Sequence, residues 1–268
     1  MELILDVFFF WAGAIFGSFA GAMAWRLKES KKTGNDRSEC EKCHHKLGVA
    51  DLMPVVSWLL LQGRCRYCHR PIGRLTLAIE LLTGLTFLAS FLLWPYGFGA
   101  LLPCLVFGLW LICLVLLSVL FVYDWRWGLL PNKLIYPLIF VSLAFFVGKM
   151  LIDQVAVASW PLEILFGLLP ITGIYGVLYL VSKGDWVGDG DVRLGVAIGL
   201  LLGWQGAWLV LILSNLLGFI YVLPGLLSHK LNPKSRVPFG PFLILATVVT
   251  FFAGKQITAL YLSSFLGG

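Results

Sequence analysis

Two acidic residues stand at the ends of long apolar runs, where a carboxylate is costly to keep. Asp124 follows the run from Leu101 to Tyr123, and Asp191 is the last residue of Gly188-Asp189-Gly190-Asp191. A carboxylate at or inside a membrane is by default a functional candidate. Peptide hydrolysis by two aspartates requires a shared proton, so that one carboxylate activates water while its protonated partner donates to the carbonyl oxygen. The two residues are therefore a candidate catalytic dyad.

A simpler interpretation of the same residues also exists. Asp191 would be the N-cap of a helix that begins at Val192, and Asp124 would be a solvated residue at a helix end. Gly188 and Gly190 favour the catalytic interpretation, because their missing side chains would let an extended substrate backbone approach Asp191. Spacing alone leaves both interpretations open.

A second candidate site consists of two C-x-x-C motifs separated by 21 residues. Their members are Cys40, Cys43, Cys65 and Cys68. Two such turns at this spacing suit one tetrahedral zinc, and four cysteines close the site, which is typical of a structural metal. Disulfides or idle thiols are the alternative, and a reducing compartment argues against disulfides. His44, His45 and His69 are close enough in sequence to replace a ligand.

Composition indicates a helical membrane protein. Of 268 residues, 59% are hydrophobic and 13% are charged, and no polar stretch is long enough for a sizeable soluble domain. The formal net charge of +6 is explained by anionic lipid headgroups, so we expect a lipid bilayer and no nucleic acid as partner.

The apolar stretches predict an all-α integral membrane protein with about eight transmembrane helices. Six stretches are suitable spans: Leu3 to Trp25, Leu75 to Trp94, Leu101 to Tyr123, Leu134 to Met150, Leu162 to Val181, and Leu243 to Phe265. The stretch Val192 to Leu227 would be roughly 54 Å long as one helix, so we expect a turn at Gly203-Trp204-Gln205-Gly206 and two spans.

The basic residues test this topology. With eight spans and both termini outside, the cytoplasmic loops are 26–74, 124–133, 182–193 and 228–238, and they hold 18 of the 20 lysines and arginines. This agrees with the excess of positive charge in cytoplasmic loops. Asp124 and Asp191 then share the cytoplasmic face.

Three regions follow from this pattern. Residues 1–25 form a first transmembrane helix, which we expect to be retained because no basic region precedes it. Residues 26–74 form a small cytoplasmic zinc-binding insertion, in which Leu52 to Leu61 is the core of a small domain or an interfacial helix. Residues 75–268 form a seven-helix transmembrane region.

The order of motifs along nearly the whole chain resembles that of the type IV prepilin peptidases. These motifs are Gly17-Ser18-Phe19, the two C-x-x-C pairs around Pro54-Val55-Val56-Ser57-Trp58-Leu59-Leu60, Gly63-Arg64-Cys65, Glu80-Leu81-Leu82-Thr83, Asp124 with Leu130-Pro131, Gly188-Asp189-Gly190-Asp191, and Pro238-Phe239-Gly240-Pro241-Phe242.

The resemblance implies a bacterial inner-membrane aspartic endopeptidase that removes the short basic leader from prepilins and pseudopilins. It implies catalytic roles for Asp124 and Asp191, with Gly188 and Gly190 as motif support. It also assigns Cys40, Cys43, Cys65 and Cys68 to zinc. Many members methylate the new N-terminus with S-adenosylmethionine, which gives a second expected activity.

Two departures from the family pattern concern this second activity and the loop after the first aspartate. Ala20-Gly21 replaces the usual Leu-Asn in the region associated with methyl transfer, and Asn132 replaces the usual aspartate after Leu-Pro. Gly13, Gly17 and Gly21 recur every four residues, which predicts a surface for close helix packing.

Three further acidic residues each allow two interpretations of their role. Glu80 lies inside the second span, where it either contributes to methyl-donor binding or forms a structural hydrogen bond. Asp185 and Asp189 are either solvated or attract the basic leader of a substrate.

The rival function is a proton-coupled transporter that uses Asp124, Asp191 and Glu80 as a relay. Transporter sites form near the bilayer midplane, whereas Asp124 and Asp191 are predicted at one edge. A metalloprotease is not indicated, because the H-E-x-x-H motif is absent from the sequence.

Overall fold

The computed structural model describes residues 2–30, 38–228 and 237–266. These ranges are helical and contain no regular β-strand. Seven segments are long and apolar enough to cross a membrane, which confirms the predicted all-α membrane class. The helices are α1 (Glu2–Lys28), α2 (Val56–Leu60), α3 (Arg74–Leu92), α4 (Leu101–Trp127), α5 (Asn132–Ile152), α6 (Trp160–Leu168), α7 (Ile174–Ser182), α8 (Asp189–Leu227) and α9 (Gly240–Leu266).

The chain divides into two compact units. The first consists of Met1–Pro95 and Leu114–Tyr123, and the second of Tyr96–Cys113 and Asp124–Gly268. The first unit therefore holds the cysteine motifs and Glu80, whereas the second holds both aspartates of the candidate dyad. Six of the basic residues used in the topology prediction lie outside the described residues: Lys31, Lys32, Arg37, Lys230, Lys234 and Arg236.

In the first unit, α1 packs closely on α3 through two of the three predicted glycines. A Cβ atom at Gly13 would lie 2.5 Å from the carbonyl oxygen of Thr83, and one at Gly17 would lie 2.8 Å from Cα of Glu80. The packing prediction is confirmed for these two positions. It is wrong for Gly21, where a Cβ would meet nothing within 4 Å, because this glycine does not face α3.

In the second unit, α8 reverses direction at Gly203. Its φ of 68° and ψ of −173° belong to a region that only glycine adopts readily. Val192 and Asn215 lie on opposite sides of this break and would be about 35 Å apart in a straight helix. Both nevertheless contact one short stretch, since Thr172 Oγ1 lies 3.5 Å from the carbonyl oxygen of Val192 and Asn215 Nδ2 lies 3.1 Å from the hydroxyl of Tyr175.

This reversal confirms the predicted turn and makes two antiparallel segments, 189–202 and 204–227, out of the longest candidate span. Divided in this way, the seven membrane-length helices of the described ranges give eight helical segments, of which 189–202 is roughly 21 Å long. The first half of α8 lies against α6 at Gly167 and Gly199, where a Cβ on either residue would come within 2.8 Å of the other's carbonyl oxygen.

The predicted span from Leu162 to Val181 is a helix with an irregular centre. Residues Leu169–Gly173 form a π-helical turn between α6 and α7. Pro170 lies in this turn and has no backbone N–H to donate, which favours such a local change of hydrogen bonding. The turn places Ile171 and Thr172 against Gly195 of α8.

Candidate active site and candidate metal centre

Asp124 lies in the last turn of α4, and its side chain is buried. Gly128 follows the helix in the left-handed conformation, and its N–H donates to the carbonyl oxygen of Asp124 at 2.8 Å. The Asp124 side chain is only 4% exposed, and its Oδ2 atom has no hydrogen-bond partner among the residues described. The interpretation of Asp124 as a solvated helix end is therefore wrong. A buried carboxyl oxygen without a partner is available to a ligand.

Asp191 is the third residue of α8, and the N-cap of this helix is Gly188. The alternative that Asp191 is the N-cap is therefore wrong. The Asp191 carboxyl group instead faces the Gly188 amide, as in a capping box, where the side chain of the third helical residue accepts from the N-cap amide. This contact orients the Asp191 side chain, and the group of Gly188 that provides it is the backbone amide.

The two carboxyl groups are close enough to interact electrostatically, and glycines and Leu130 fill the space around them. A Cβ at Gly190 would lie 2.7 Å from Cβ of Leu130. A Cβ at Gly240 would lie 2.6 Å from Oδ2 of Asp124 and 3.3 Å from Cδ2 of Leu130. The sequence suggested that Gly190 lets a substrate backbone approach Asp191, whereas in the structure this glycine makes room for Leu130.

Gly240 is the site residue that sequence reasoning missed. It is the first residue of α9, and its amide faces the carboxyl group of Asp124. Neighbouring rings hold this helix start, since Phe239 contacts Tyr175 and Phe242 contacts Tyr221. The signal was present in the motif Pro238-Phe239-Gly240-Pro241-Phe242, but spacing could not connect it with an aspartate 116 residues earlier.

The other acidic residues of the motif region have different surroundings. Asp189 forms an ion pair with Arg193 on the same helix, and its side chain is half exposed. Arg193 also donates to the side-chain oxygen of Asn132 and lies over the ring of Tyr136. Asp185 is exposed in the loop between α7 and α8. Neither Asp185 nor Asp189 has the burial of Asp124.

Glu80 is buried in α3 and already paired. Its Oε2 accepts a hydrogen bond from the amide of Val55 at 2.7 Å, and Ser18 of α1 is a second partner. These contacts favour the structural hydrogen bond that sequence analysis left open. The partners come from α1 and from the insertion, so Glu80 connects both to α3.

The four cysteines of the insertion converge. Their sulfur atoms all lie within 4.8 Å of one another, and those of Cys40 and Cys68 are 4.0 Å apart. Four thiolates at about 2.3 Å from one tetrahedral zinc would be about 3.8 Å apart. All four cysteines are free, so the donor set fits a metal ion of this type, and no histidine belongs to the cluster.

Both cysteine turns have the same backbone geometry. In the first, the Cys40 amide donates to the carbonyl oxygen of His45, and the His44 amide donates back to that of Cys40. Cys65, Arg70 and His69 repeat this pattern 25 residues later. Each pattern is local, so each C-x-x-C segment forms its own half of the cluster.

An ion pair braces the second cysteine turn. Asp51 accepts hydrogen bonds from Nε of Arg66 at 2.6 Å and from the hydroxyl of Tyr67 at 3.1 Å. Burial opposes ionisation of Asp51, but hydrogen bonds from Arg66, the Gly48 amide and Tyr67 together hold its pKa below the ordinary value. Tyr67 also contacts His45 of the first turn, with ring centroids 3.7 Å apart and the rings tilted by 33°.

Comparisons with known proteins identify the family of this chain. Residues 11–94 match the family described as Bacterial Peptidase A24 N-terminal domain, and residues 110–223 match the Type IV leader peptidase family. A protein of Aeromonas hydrophila named prepilin leader peptidase/N-methyltransferase is 33% identical over 230 residues, which are 86% of this chain and 76% of the relative. The chain belongs to the type IV leader peptidase family. This membership confirms the resemblance inferred from the motifs.

Other relatives in the type IV leader peptidase family have the same name. The Pseudomonas aeruginosa protein is 32% identical over 232 residues, covering 84% of this chain and 74% of the relative. The Vibrio cholerae protein is 28% identical over 264 residues, covering 94% and 98%. No solved structure gives a significant match to the chain.

Proposed function

We propose that this chain is an aspartic endopeptidase that cleaves the basic leader from type IV prepilins or pseudopilins. The observation that carries the proposal is the pair of buried Asp124 and half-buried Asp191, held beside the amides of Gly240 and Gly188 in one compact unit. Family membership supports the same reaction. The distribution of basic residues supports a reaction at the cytoplasmic face of the membrane. The membrane-length helices and the family support a multi-pass protein of a bacterial inner membrane.

The dyad would perform general acid–base hydrolysis. One carboxylate takes a proton from water, whose oxygen attacks the scissile carbonyl carbon, while the protonated partner donates to the carbonyl oxygen. As the tetrahedral intermediate collapses, the C–N bond breaks and the carboxyl group that took the water proton passes it to the leaving nitrogen. The ionised partner takes back a proton from a hydroxyl of the intermediate, which becomes the new carboxyl group of the leader, and the shared proton is restored. The products are the free leader and a mature chain with a new amino terminus.

The substrate would combine two recognition features. Its apolar helix enters the bundle laterally from the bilayer, and its basic leader remains at the cytoplasmic boundary. Asp185 is exposed there and has the charge to attract the leader. Asp189 is paired with Arg193 and would contribute less.

The cysteine cluster would hold a structural zinc. Cys40, Cys43, Cys65 and Cys68 supply four sulfur ligands, and a closed four-sulfur site leaves no position for a substrate. When bound, the metal would join the two cysteine turns and stabilise the insertion. No step of hydrolysis involves it.

We propose methylation of the new amino terminus with S-adenosylmethionine as a second activity, because the relatives are named for it. The surroundings of Glu80 do not fit a donor site in this arrangement. Its carboxyl group is buried and already binds Val55 and Ser18. We therefore propose a structural role for Glu80.

Nothing in the described part of the chain supports the transporter alternative. Glu80 belongs to a different compact unit from Asp124 and Asp191. Its hydrogen bonds to Val55 and Ser18 also occupy the carboxyl group that a proton relay would need.

The test is cleavage of a purified prepilin by wild type, Asp124→Asn and Asp191→Asn, read by mass spectrometry. Loss of one general acid or base is expected to slow the reaction about 10²- to 10⁴-fold. Asp189→Asn is the matched control on the same helix and should retain most activity. Near-normal cleavage by either dyad variant would refute the proposal, and equal loss at 189 and 191 would reopen the assignment within the motif.

A further inference from the structure

One segment of the insertion lies beside α1 and α3, nearer to the middle of these helices than their basic end residues. The Val55 amide binds Glu80, which lies six residues after the first residue of α3, Arg74, or roughly 9 Å along the helix. Ser18, the other partner of Glu80, lies ten residues before Lys28 at the end of α1, or roughly 15 Å. The turn at Val55 therefore lies deeper than the basic residues at both helix ends.

The turn itself has an unusual backbone. Val55 has a φ of 61° and a ψ of −54°, and the Val56 amide donates to the carbonyl oxygen of Pro54 at 2.5 Å. This is a γ-turn of the strained form, which a β-branched residue rarely adopts. Pro54 is buried, and the hydrogen bond to Glu80 holds the turn in place. The depth of the segment is thus set by specific contacts.

Apolar side chains on both sides of this turn are exposed. They are Val49 (85% exposed), Leu52 (40%), Met53 (49%), Leu59 (58%) and Leu60 (79%). Exposed apolar surface of this kind marks an interaction site. Because these residues belong to the same unit as two membrane-length helices, the nearest apolar partner is the bilayer.

Charge indicates which lipids would be contacted. Residues 26–74 hold eleven basic and five acidic residues, so the net charge of the whole chain, +6, equals that of this one region. Basic residues around an apolar segment favour the surface of an anionic leaflet.

We propose that residues 49–60, here called the interfacial segment, are embedded at the boundary between headgroups and acyl chains of an anionic leaflet. Interfacial helices bury their apolar face to a depth of about 5–10 Å, and the depth of the Val55 turn agrees with this range. The cysteine cluster is thereby held at the membrane surface. This surface is separate from the dyad and does not depend on the proposed peptidase activity.

Photo-crosslinking of the full chain tests the assignment. p-Benzoylphenylalanine replaces Leu60 in one variant and the exposed Lys46 in the control, and both are reconstituted in vesicles of phosphatidylglycerol and phosphatidylethanolamine. We expect single-lipid adducts severalfold more abundant at position 60 than at position 46. Equal yields at both positions, or crosslinks from position 60 to a second copy of the chain, would overturn the proposal.

A measurement on the wild type keeps the test independent of these variants. Met53 and Tyr67 are similarly exposed, at 49% and 44%, but only Met53 belongs to the interfacial segment. Hydroxyl radicals generated in the water around the vesicles should oxidise Met53 severalfold more slowly than Tyr67. Oxidation of Met53 at the same rate or faster would place the segment in water.

Discussion

The two candidate sites are assembled by different means. In the insertion, each C-x-x-C turn forms its own hydrogen bonds within six residues, and the two turns have the same geometry. In the second unit, Asp124, Asp191 and Gly240 come from the starts or ends of three different helices. The first site is therefore largely local, whereas the second depends on how three helices pack around Leu130.

This difference indicates which substitutions would damage each site. The cysteine cluster depends on ligand atoms and the metal that they would bind, so small changes elsewhere should be tolerated. The dyad depends on space at two glycines. A Cβ atom would come within 2.7 Å of Leu130 at Gly190, and within 2.7 Å of the Asp124 carboxyl group at Gly240. One added methyl group should therefore damage the dyad while leaving the cluster intact.

The largest effect among these single-methyl changes is expected for Gly240→Ala. Its Cβ would lie 2.6 Å from Oδ2 of Asp124, and displacement of a catalytic group by about 1 Å can reduce kcat about 10²-fold. The measurement is prepilin cleavage under saturating substrate. Gly108→Ala in α4 is the control, because a Cβ there meets nothing within 4 Å, and unchanged kcat in Gly240→Ala would contradict the contact.

A smaller loss, about tenfold in kcat, is expected for Gly190→Ala, because the added Cβ meets the side chain of Leu130 and not a carboxyl group. Leu130→Gly should remove that overlap, because the nearest contact of the added Cβ is Cβ of Leu130. Cleavage by the double variant is therefore predicted to exceed that of Gly190→Ala alone. A double variant that is slower than both single variants would show that Leu130 does not cause the defect.

Cys40→Ser and Cys65→Ser should each release the metal and loosen the insertion, with only a few-fold loss of cleavage. Metal binding supplies much of the folding free energy of a small metal-binding region, whereas the dyad belongs to the other unit. Elemental analysis measures zinc, and limited proteolysis within residues 26–74 measures the loosening. Wild-type protein purified without chelators and found free of zinc would refute the metal assignment.

The smallest effect is expected for Glu80→Gln, since the amide oxygen can still accept from the Val55 N–H. Both cleavage and methylation should remain close to wild type. Glu80→Ala removes the acceptor and should expose the turn at Val55 to proteolysis. Selective loss of methylation in Glu80→Gln, with normal cleavage and normal proteolysis, would restore a methyl-donor role for Glu80.

Sequence reasoning was most successful where the signal is local or periodic. The helical class and the turn at Gly203 followed from the length of apolar runs and from glycine, and the cysteine cluster followed from spacing. The extents of the helices were close, although α1 continues to Lys28 beyond the predicted end at Trp25. A basic final turn favours this extension, because cations stabilise a helix C-terminus.

The missed features all depend on which residues meet in space. Gly21 has the same spacing as Gly13 and Gly17 but does not face α3, because a four-residue repeat drifts around a helix with 3.6 residues per turn. Gly240 and Leu130 are ordinary residues in sequence, and only the packing of α4, α8 and α9 places them beside the aspartates. The partners of Glu80 were likewise unpredictable, since Val55 reaches it through a strained turn.

The most direct test of the central claim is a double-mutant comparison of Asp124→Asn, Asp191→Asn and the combined variant in the prepilin cleavage assay. Residues that act as one unit are strongly non-additive, so that removing both costs little more than removing one. Folding of each variant is verified by its helical circular dichroism. The dyad predicts that all three variants are inactive to a similar degree. Losses that multiply in the combined variant would show that the two aspartates act independently and would contradict the shared-proton mechanism.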